Sequence, residues 1–303
     1  MVSWPYLIDT RRPGLVYDEV KRIVTLIAPE FGFNRLGAVF QDIVSLYSGL
    51  YPGFKACNTG YHDLTHVMDT VLAMARLLHG AAADGFRISK RNIGLGLTAA
   101  LMHDTGYIQK TGDRGGTGGK YTLNHPKRSV KFMENYFLEH GYSIDYFEDA
   151  KKVLSCTALT CQISRVRFRT EELRIIGKML ATVDIMGQMG SRIYLEKLLL
   201  LFQELKEAKL NGYKEEIDVF TGTFEFHETA QKRLEGDLSD VKSFMGSHFR
   251  SRYGVERDFY SEQIEHNLKH LAFILQHKDD YRTFLRRAGI VNALSSSMAI
   301  EKL

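Results

Sequence analysis

Long apolar runs are missing from this chain. The longest candidate, Leu195 to Leu205, is broken by Glu196, Lys197, Gln203 and Glu204, too short and too charged to cross a bilayer. The N-terminus MVSWPYLIDTRRP has no basic stretch followed by an apolar core, so nothing there reads as an export signal. Three cysteines, Cys57, Cys156 and Cys161, make neither an even framework nor a CxxC pair. They are expected to be reduced and structural, with Cys156 and Cys161 as small core fillers in a cytoplasmic protein. Only five prolines interrupt the chain, and β-branched alternating runs are scarce, which excludes a sheet-based architecture. One-signed charge is also lacking: a net charge of +4 over 303 residues gives no argument for nucleic acid as a partner.

What is present is helical periodicity. Apolar residues recur at helical spacing over Leu15 to Ile27, Arg35 to Leu46, Leu64 to Leu78, Ile93 to Met102, Pro126 to Phe137, Tyr146 to Ala158, Leu173 to Met186, Ile193 to Leu210, Phe226 to Phe249 and Phe259 to Gln276. With 44% hydrophobic and 25% charged residues the chain can bury a large core. The expectation is an all-α, multi-helix bundle forming a single domain over residues 1–303. Its core would lie at about 40–205, with a helical extension at about 206–290.

The chemistry concentrates in four places. His103-Asp104 closes the apolar run Leu95 to Met102, YHDLTH carries His62 and His66, and Asp184 lies on the apolar helix Leu173 to Met186. Imidazoles and carboxylates together suit a divalent ion that polarises a phosphoryl oxygen or activates water. His62 and His66 are four apart and expected one turn apart on one helix face. Adjacent residues such as His103 and Asp104 diverge by roughly 100° on a helix, so both reach one ion only if the helix ends there, which Thr105-Gly106 permits. A carboxylate at Asp184, buried by Ile175, Ile176, Met179, Leu180 and Val183, calls for a cation. Each signal alone has an ordinary explanation, a hydrogen-bonded surface pair for His-Asp above all; their combination and order favour a metal site.

The segments YHDLTH, ALMHDTGY, NHPKRS and LATVDIMGQ resemble the four signatures of the HD-domain metal-dependent phosphohydrolases, in the branch related to the cyclic-nucleotide phosphodiesterase catalytic domain. The resemblance covers about Tyr61 to Gln203 and, more loosely, the remainder to Gln276; QMGSRIYLEKLLLLFQEL resembles bacterial members of the group. It implies a divalent metal (Mg, Mn, Fe, Zn, Ni or Co) held by His66, His103, Asp104 and Asp184, with His62 as the general acid that protonates the leaving oxygen. By the same resemblance His125 would serve a second, weaker ion. The chain departs from the family at HDTGYIQ, where a following histidine is missing, at Leu123 in place of a glutamate, and at VLSCTAL, which has Cys156 and Thr157 where a histidine is expected. One firmly held ion is therefore expected rather than two. The glutamine that orients a purine in phosphodiesterases has no counterpart in FTGTFEF, where Thr221 or Thr223 would fall, so no preference for cyclic AMP or cyclic GMP follows. No GYP motif or HDIGK sequence points to cyclic dinucleotides.

The expected activity is metal-dependent hydrolysis of a phosphoester, of a nucleotide or cyclic nucleotide. A nucleotidase or nucleoside-triphosphate hydrolase would use the same ligands, and a regulatory protein would keep the fold without turnover. Several residues stay open between a role and a plain one. His125, at a helix start with Asn124 as cap and Pro126 after it, could be a ligand or an ordinary capping-region histidine. Gln188, one turn after Asp184, could contact substrate or merely line the cavity edge. Basic residues cluster at Arg165, Arg167 and Arg169, at Arg250, Arg252 and Arg257, and at Lys127, Arg128 and Lys131. Solvated faces explain most of them, with Lys127 and Arg128 kept as an anionic-substrate rim. The glycine-rich TGDRGGTGGK, residues 111–120, fails as a phosphate loop because Arg114 occupies the first glycine position and Tyr121 follows the lysine. It is expected to be a mobile loop and a candidate lid. The partner would be a small phosphoester or nucleotide, with no membrane; a homodimer stays open.

Overall fold

A computed structural model describes residues 8–294. Twelve α-helices account for the architecture: α1 (Pro13–Ile27), α2 (Phe33–Tyr47), α3 (Leu64–Ala83), α4 (Lys90–Met102), α5 (His125–Glu139), α6 (Ile144–Ser155), α7 (Glu171–Met189), α8 (Tyr194–Glu207), α9 (Glu216–Glu235), the single turn α10 (Ser239–Lys242), α11 (Phe244–Tyr253) and α12 (Phe259–Gln276). Among the described residues there is no strand, only one isolated bridge between Phe54 and Lys110. None of these helices is long and apolar enough to cross a membrane.

The bundle is organised around α3. From His66 to Ala81 every residue except Asp69 is buried, as expected for a helix that is apolar on all sides. It packs against α1, α4, α7 and α11. Gly80 permits the closest of these approaches: a Cβ there would stand 1.8 Å from the Phe244 carbonyl oxygen at the start of α11. One contiguous hydrophobic core runs from Val16 to Leu285, so the helices after residue 206 share it.

Nine of the ten periodic segments correspond to helices within a few residues at each end. The exception is Phe226 to Phe249, expected as one helix. The structure breaks it at Gly236, whose backbone (φ −95°, ψ −102°) leaves helical geometry, so α9 ends there and the chain resumes as α10 and α11. Periodicity alone does not reveal that break, because apolar residues continue at helical spacing on both sides of the glycine. Cys156 is buried and Cys161 half-buried, both as free thiols.

Candidate metal centre

The ligand set is delivered by helix ends. Asp63 caps α3, its carboxylate accepting from the His66 amide at 3.0 Å, and pairs with Lys197 at 2.9 Å. His66 therefore sits in the first turn of α3, while His62 lies before the cap. The expectation that both share a helix face fails, because an N-cap aspartate at residue 63 starts the helix after His62. The rings nonetheless come together, with centroids 5.9 Å apart.

At the other wall α4 ends at Met102. His103 keeps helical dihedrals as the residue after the helix, whereas Asp104 turns away (φ −109°, ψ 9°) into a short 3-10 turn over residues 105–107. This change of direction brings two neighbours to one point. The 3-10 turn is locked from behind by Arg128, which donates to the carbonyls of Gly106 (2.7 Å) and Ile108 (2.8 Å) and lies over the Tyr121 ring. Gly106 is required here, since a Cβ would fall 2.0 Å from the His125 carbonyl oxygen.

The result is a compact donor cluster. His66 Nε2 and His103 Nε2 are 3.0 Å apart, and Asp104 Oδ2 stands 3.2 Å and 3.3 Å from them. All three residues are buried, and together they can hold a metal ion. Asp184 Oδ1, on α7, lies 3.5 Å from both histidine nitrogens. Ligands at about 2.1 Å from a common ion would be separated by roughly 3.0 Å in an octahedral shell and roughly 3.4 Å in a tetrahedral one, the range observed.

The hydrogen bonding fits a cation as well. His103 Nδ1 donates to the Ala100 carbonyl at 2.8 Å, which leaves the Nε2 lone pair directed into the cluster. Asp104 Oδ2 is buried without a hydrogen-bond partner. A buried carboxylate oxygen facing imidazole nitrogens is costly unless a positive charge sits between them. Burial pulls both imidazoles down, but Asp104 and Asp184 outweigh it, raising His66 and carrying His103 well above the usual imidazole range. Burial likewise pushes the two carboxyls up, and the histidines more than offset this, drawing Asp104 well down and Asp184 with it.

The remaining expected residues divide. His125 opens α5; its Nδ1 is held by the Thr122 carbonyl at 2.7 Å, and its Nε2 lies 3.6 Å from the other oxygen of Asp104. It thus faces the cluster from outside. Asn124 precedes the helix but makes no side-chain cap. Gln188 belongs to the site: its amide donates to Asp184 at 3.1 Å and its carbonyl accepts from the Tyr61 hydroxyl at 3.0 Å. Arg128 is committed to the 105–108 turn, so the expected anionic rim loses its guanidinium, and Lys127 is left exposed on the first turn of α5. The other basic clusters are largely paired, Arg169 with Asp149, Arg252 with Glu19 and Arg250 with Asp84.

Three contributors were not among the sequence-based candidates. Glu204, buried on α8, accepts from the amides of Tyr61 (2.7 Å) and His62 (3.3 Å) and meets His62 Nδ1 at 2.6 Å. A carboxylate there fixes the tautomer with Nδ1–H and leaves Nε2 as the nitrogen able to exchange a proton. Tyr107 stacks on His62 at 4.2 Å and on His125 at 4.4 Å between ring centroids, and Tyr61 packs edge-on to His62. The signal for Glu204 was legible: an acidic residue inside a long apolar stretch needs a partner.

The glycine-rich segment is not the free loop expected. Thr117 is bound by Glu207 through both its amide and its hydroxyl, Gly118 donates to Asn58, and Lys120 donates to the carbonyls of Arg114 and Gly115. Comparison with protein-family models and with curated proteins finds no match to this chain.

Proposed function

We propose that this protein is a metal-dependent phosphohydrolase of the HD-domain type, acting on a phosphoester of a nucleotide or a related small molecule. The observation that carries the reading is the pairing of two devices: a buried set of donors with an orphaned carboxylate oxygen, and beside it a histidine whose second nitrogen is fixed by a carboxylate. His66, His103, Asp104 and Asp184 would hold one divalent ion, and His125 with the outer oxygen of Asp104 a weaker second one. When bound, the ion supplies Lewis-acid activation of the phosphoryl group and its attacking water.

The chain's own residues do the rest. His62, held by Glu204 through Nδ1–H, would act as the imidazolium, giving its Nε2 proton to the leaving oxygen and returning to the Nδ1–H tautomer. Tyr107 fixes the plane of that ring, and Gln188 steadies Asp184. A polyphosphate substrate is disfavoured relative to a single phosphoester, because the amides of Thr117, Gly118 and Gly119 are already taken by Glu207, Asn58 and Thr117 itself, and Arg128 is occupied.

The test is a comparison of leaving groups. His62→Ala should retain its metal yet lose about 10²- to 10⁴-fold in turnover on unactivated phosphoesters, while nitrophenyl phosphodiesters suffer far less. Equal losses on both would assign His62 to positioning or metal binding. No turnover of phosphomonoesters, cyclic mononucleotides or nucleoside triphosphates by metal-replete protein would favour a regulatory role.

A further inference from the structure

Two carboxylates on one face of α8, Glu204 and Glu207, hold two different segments against the same helix. Glu204 binds the loop that carries His62. Glu207 binds the turn at residues 115–119, where its oxygens accept from the Thr117 amide and hydroxyl. The glycines of that turn are shaped around this contact: a Cβ at Gly116 would meet Glu207 Oε1 at 2.0 Å, and one at Gly119 would meet Glu207 Oε2 at 2.8 Å and the Glu204 Cα at 3.0 Å. Gly115 and Gly116 also have left-handed backbones, φ 65° and 62°.

The latched turn touches the catalytic loop directly. Gly118 donates to Asn58 Oδ1 at 2.9 Å, and a Cβ at Gly118 would strike the Tyr107 carbonyl at 2.2 Å and the Thr59 methyl at 3.0 Å. Thr59 in turn donates its hydroxyl to the His62 carbonyl at 2.8 Å. The turn is therefore wedged between α8 and residues 58 and 59, the second of which holds the His62 carbonyl.

We propose that Glu207 is a positioning residue for His62: it seats the glycine-rich turn as a wedge, and the wedge holds residues 58–62 where Glu204 can orient the imidazole. This deepens the phosphohydrolase reading and rests on it for the kinetic consequence, but the mechanical part stands without it. Glu207 touches none of the metal-site donors, so its loss should leave metal content unchanged.

The experiment uses the full chain with Glu207→Ala, Glu207→Gln and Thr117→Val, read by hydrogen exchange and by turnover. Losing a part-buried hydrogen bond to a charged acceptor should speed exchange in residues 113–121 of Glu207→Ala by about tenfold, and speed it likewise in residues 58–63. Glu207→Gln, which keeps an acceptor for the Thr117 amide, should restore most of the protection. Thr117→Val, which removes the hydroxyl's bonds to Glu207 and from the Gly119 amide without touching α8, should speed exchange in the same two segments and decides the matter should Glu207→Ala not fold. Turnover should fall on esters with poor leaving groups and be spared on nitrophenyl esters. Faster exchange confined to 113–121, with 58–63 protected, would overturn the proposal, as would equal rate losses on both ester types. Absence of turnover in the wild type would refute the phosphohydrolase reading alone, and the exchange pattern would still decide the wedge.

Discussion

Loading the buried donor cluster with a divalent ion should stabilise the fold by an amount that the ligand residues control individually. The donors for that ion stand together in the fold, Asp104 and Asp184 lying 3.2 to 3.5 Å from the Nε2 atoms of His66 and His103. An ion that binds only the native state at 100 times its Kd adds about 2.7 kcal/mol. At roughly 2 °C per kcal/mol for a chain of this size, that is a rise in Tm of about 5 °C. Asp184→Asn keeps the volume and removes the charge 3.5 Å from both histidine nitrogens. If this costs a hundredfold in affinity, the same metal concentration equals the new Kd and stabilisation falls to about 0.4 kcal/mol, so the Tm shift shrinks to about 1 °C. The assay is thermal unfolding of chelator-stripped protein titrated in parallel with Mg, Mn, Fe, Co, Ni and Zn, with elemental analysis of the same samples. A wild-type shift that Asp184→Asn retains in full would refute Asp184 as a ligand, and no shift with any of these ions would refute the metal centre.

His125→Ala should lower turnover while leaving one tightly bound metal equivalent, because His125 Nε2 faces only the outer oxygen of Asp104; elemental analysis showing no bound metal in a folded variant would reverse the ranking. Acid should loosen the α3–α11 interface: burial, then Arg76, His79 and Arg252, push the His248 imidazole down to about 2. The unfolded chain takes up that proton near pH 6.5 and the native one refuses it, so stability is unaffected above pH 6.5 and falls below it by about 1.4 kcal/mol per pH unit, roughly 2 kcal/mol at pH 5. Denaturant titrations at pH 7 and pH 5 measure this, and a slope unchanged in His248→Phe would remove His248 as its source. Gly80→Ala, which drives a Cβ into the Phe244 carbonyl, should destabilise by about 2 kcal/mol or more, and a cost under about 0.5 kcal/mol would mean that α11 is not seated on α3 as described.

How much of this was legible in the sequence depends on whether the information is local. The helices were, because apolar spacing is written within a single segment, and so was the end of α4 at His103-Asp104, where Thr105-Gly106 marks a change of backbone direction. The start of α3 at Leu64 was legible too, but the i, i+4 spacing wrongly put His62 on the same helix as His66. Asp63 takes the cap position, so His62 lies outside the helix that the i, i+4 spacing suggested. Arg128 was misread for a different reason. A basic residue beside a candidate ligand histidine is as suited to bracing backbone carbonyls as to binding substrate, and only the path of the 105–108 turn decides between them.

The orientation of His62 is encoded across the chain. Glu204 and His62 are 142 residues apart, and so are unconnected by any periodicity. What the sequence did carry was a cost: Glu196, Lys197 and Glu204 interrupt the apolar stretch of α8 at positions that the fold then buries. Each has been given a purpose by a distant partner, Lys197 on Asp63 at the start of α3, Glu196 on the Arg287 amide and Glu204 on the His62 loop. A charge that a helix cannot keep in water must be answered from elsewhere, since an unpaired buried charge costs several kcal/mol. In this chain two of those three answers lie at the N-terminus of α3, beside His66. The charges that disqualified α8 as a membrane span are thus the ones that tie it to the metal centre, and the helix that looked least suited to chemistry carries the carboxylate that orients His62.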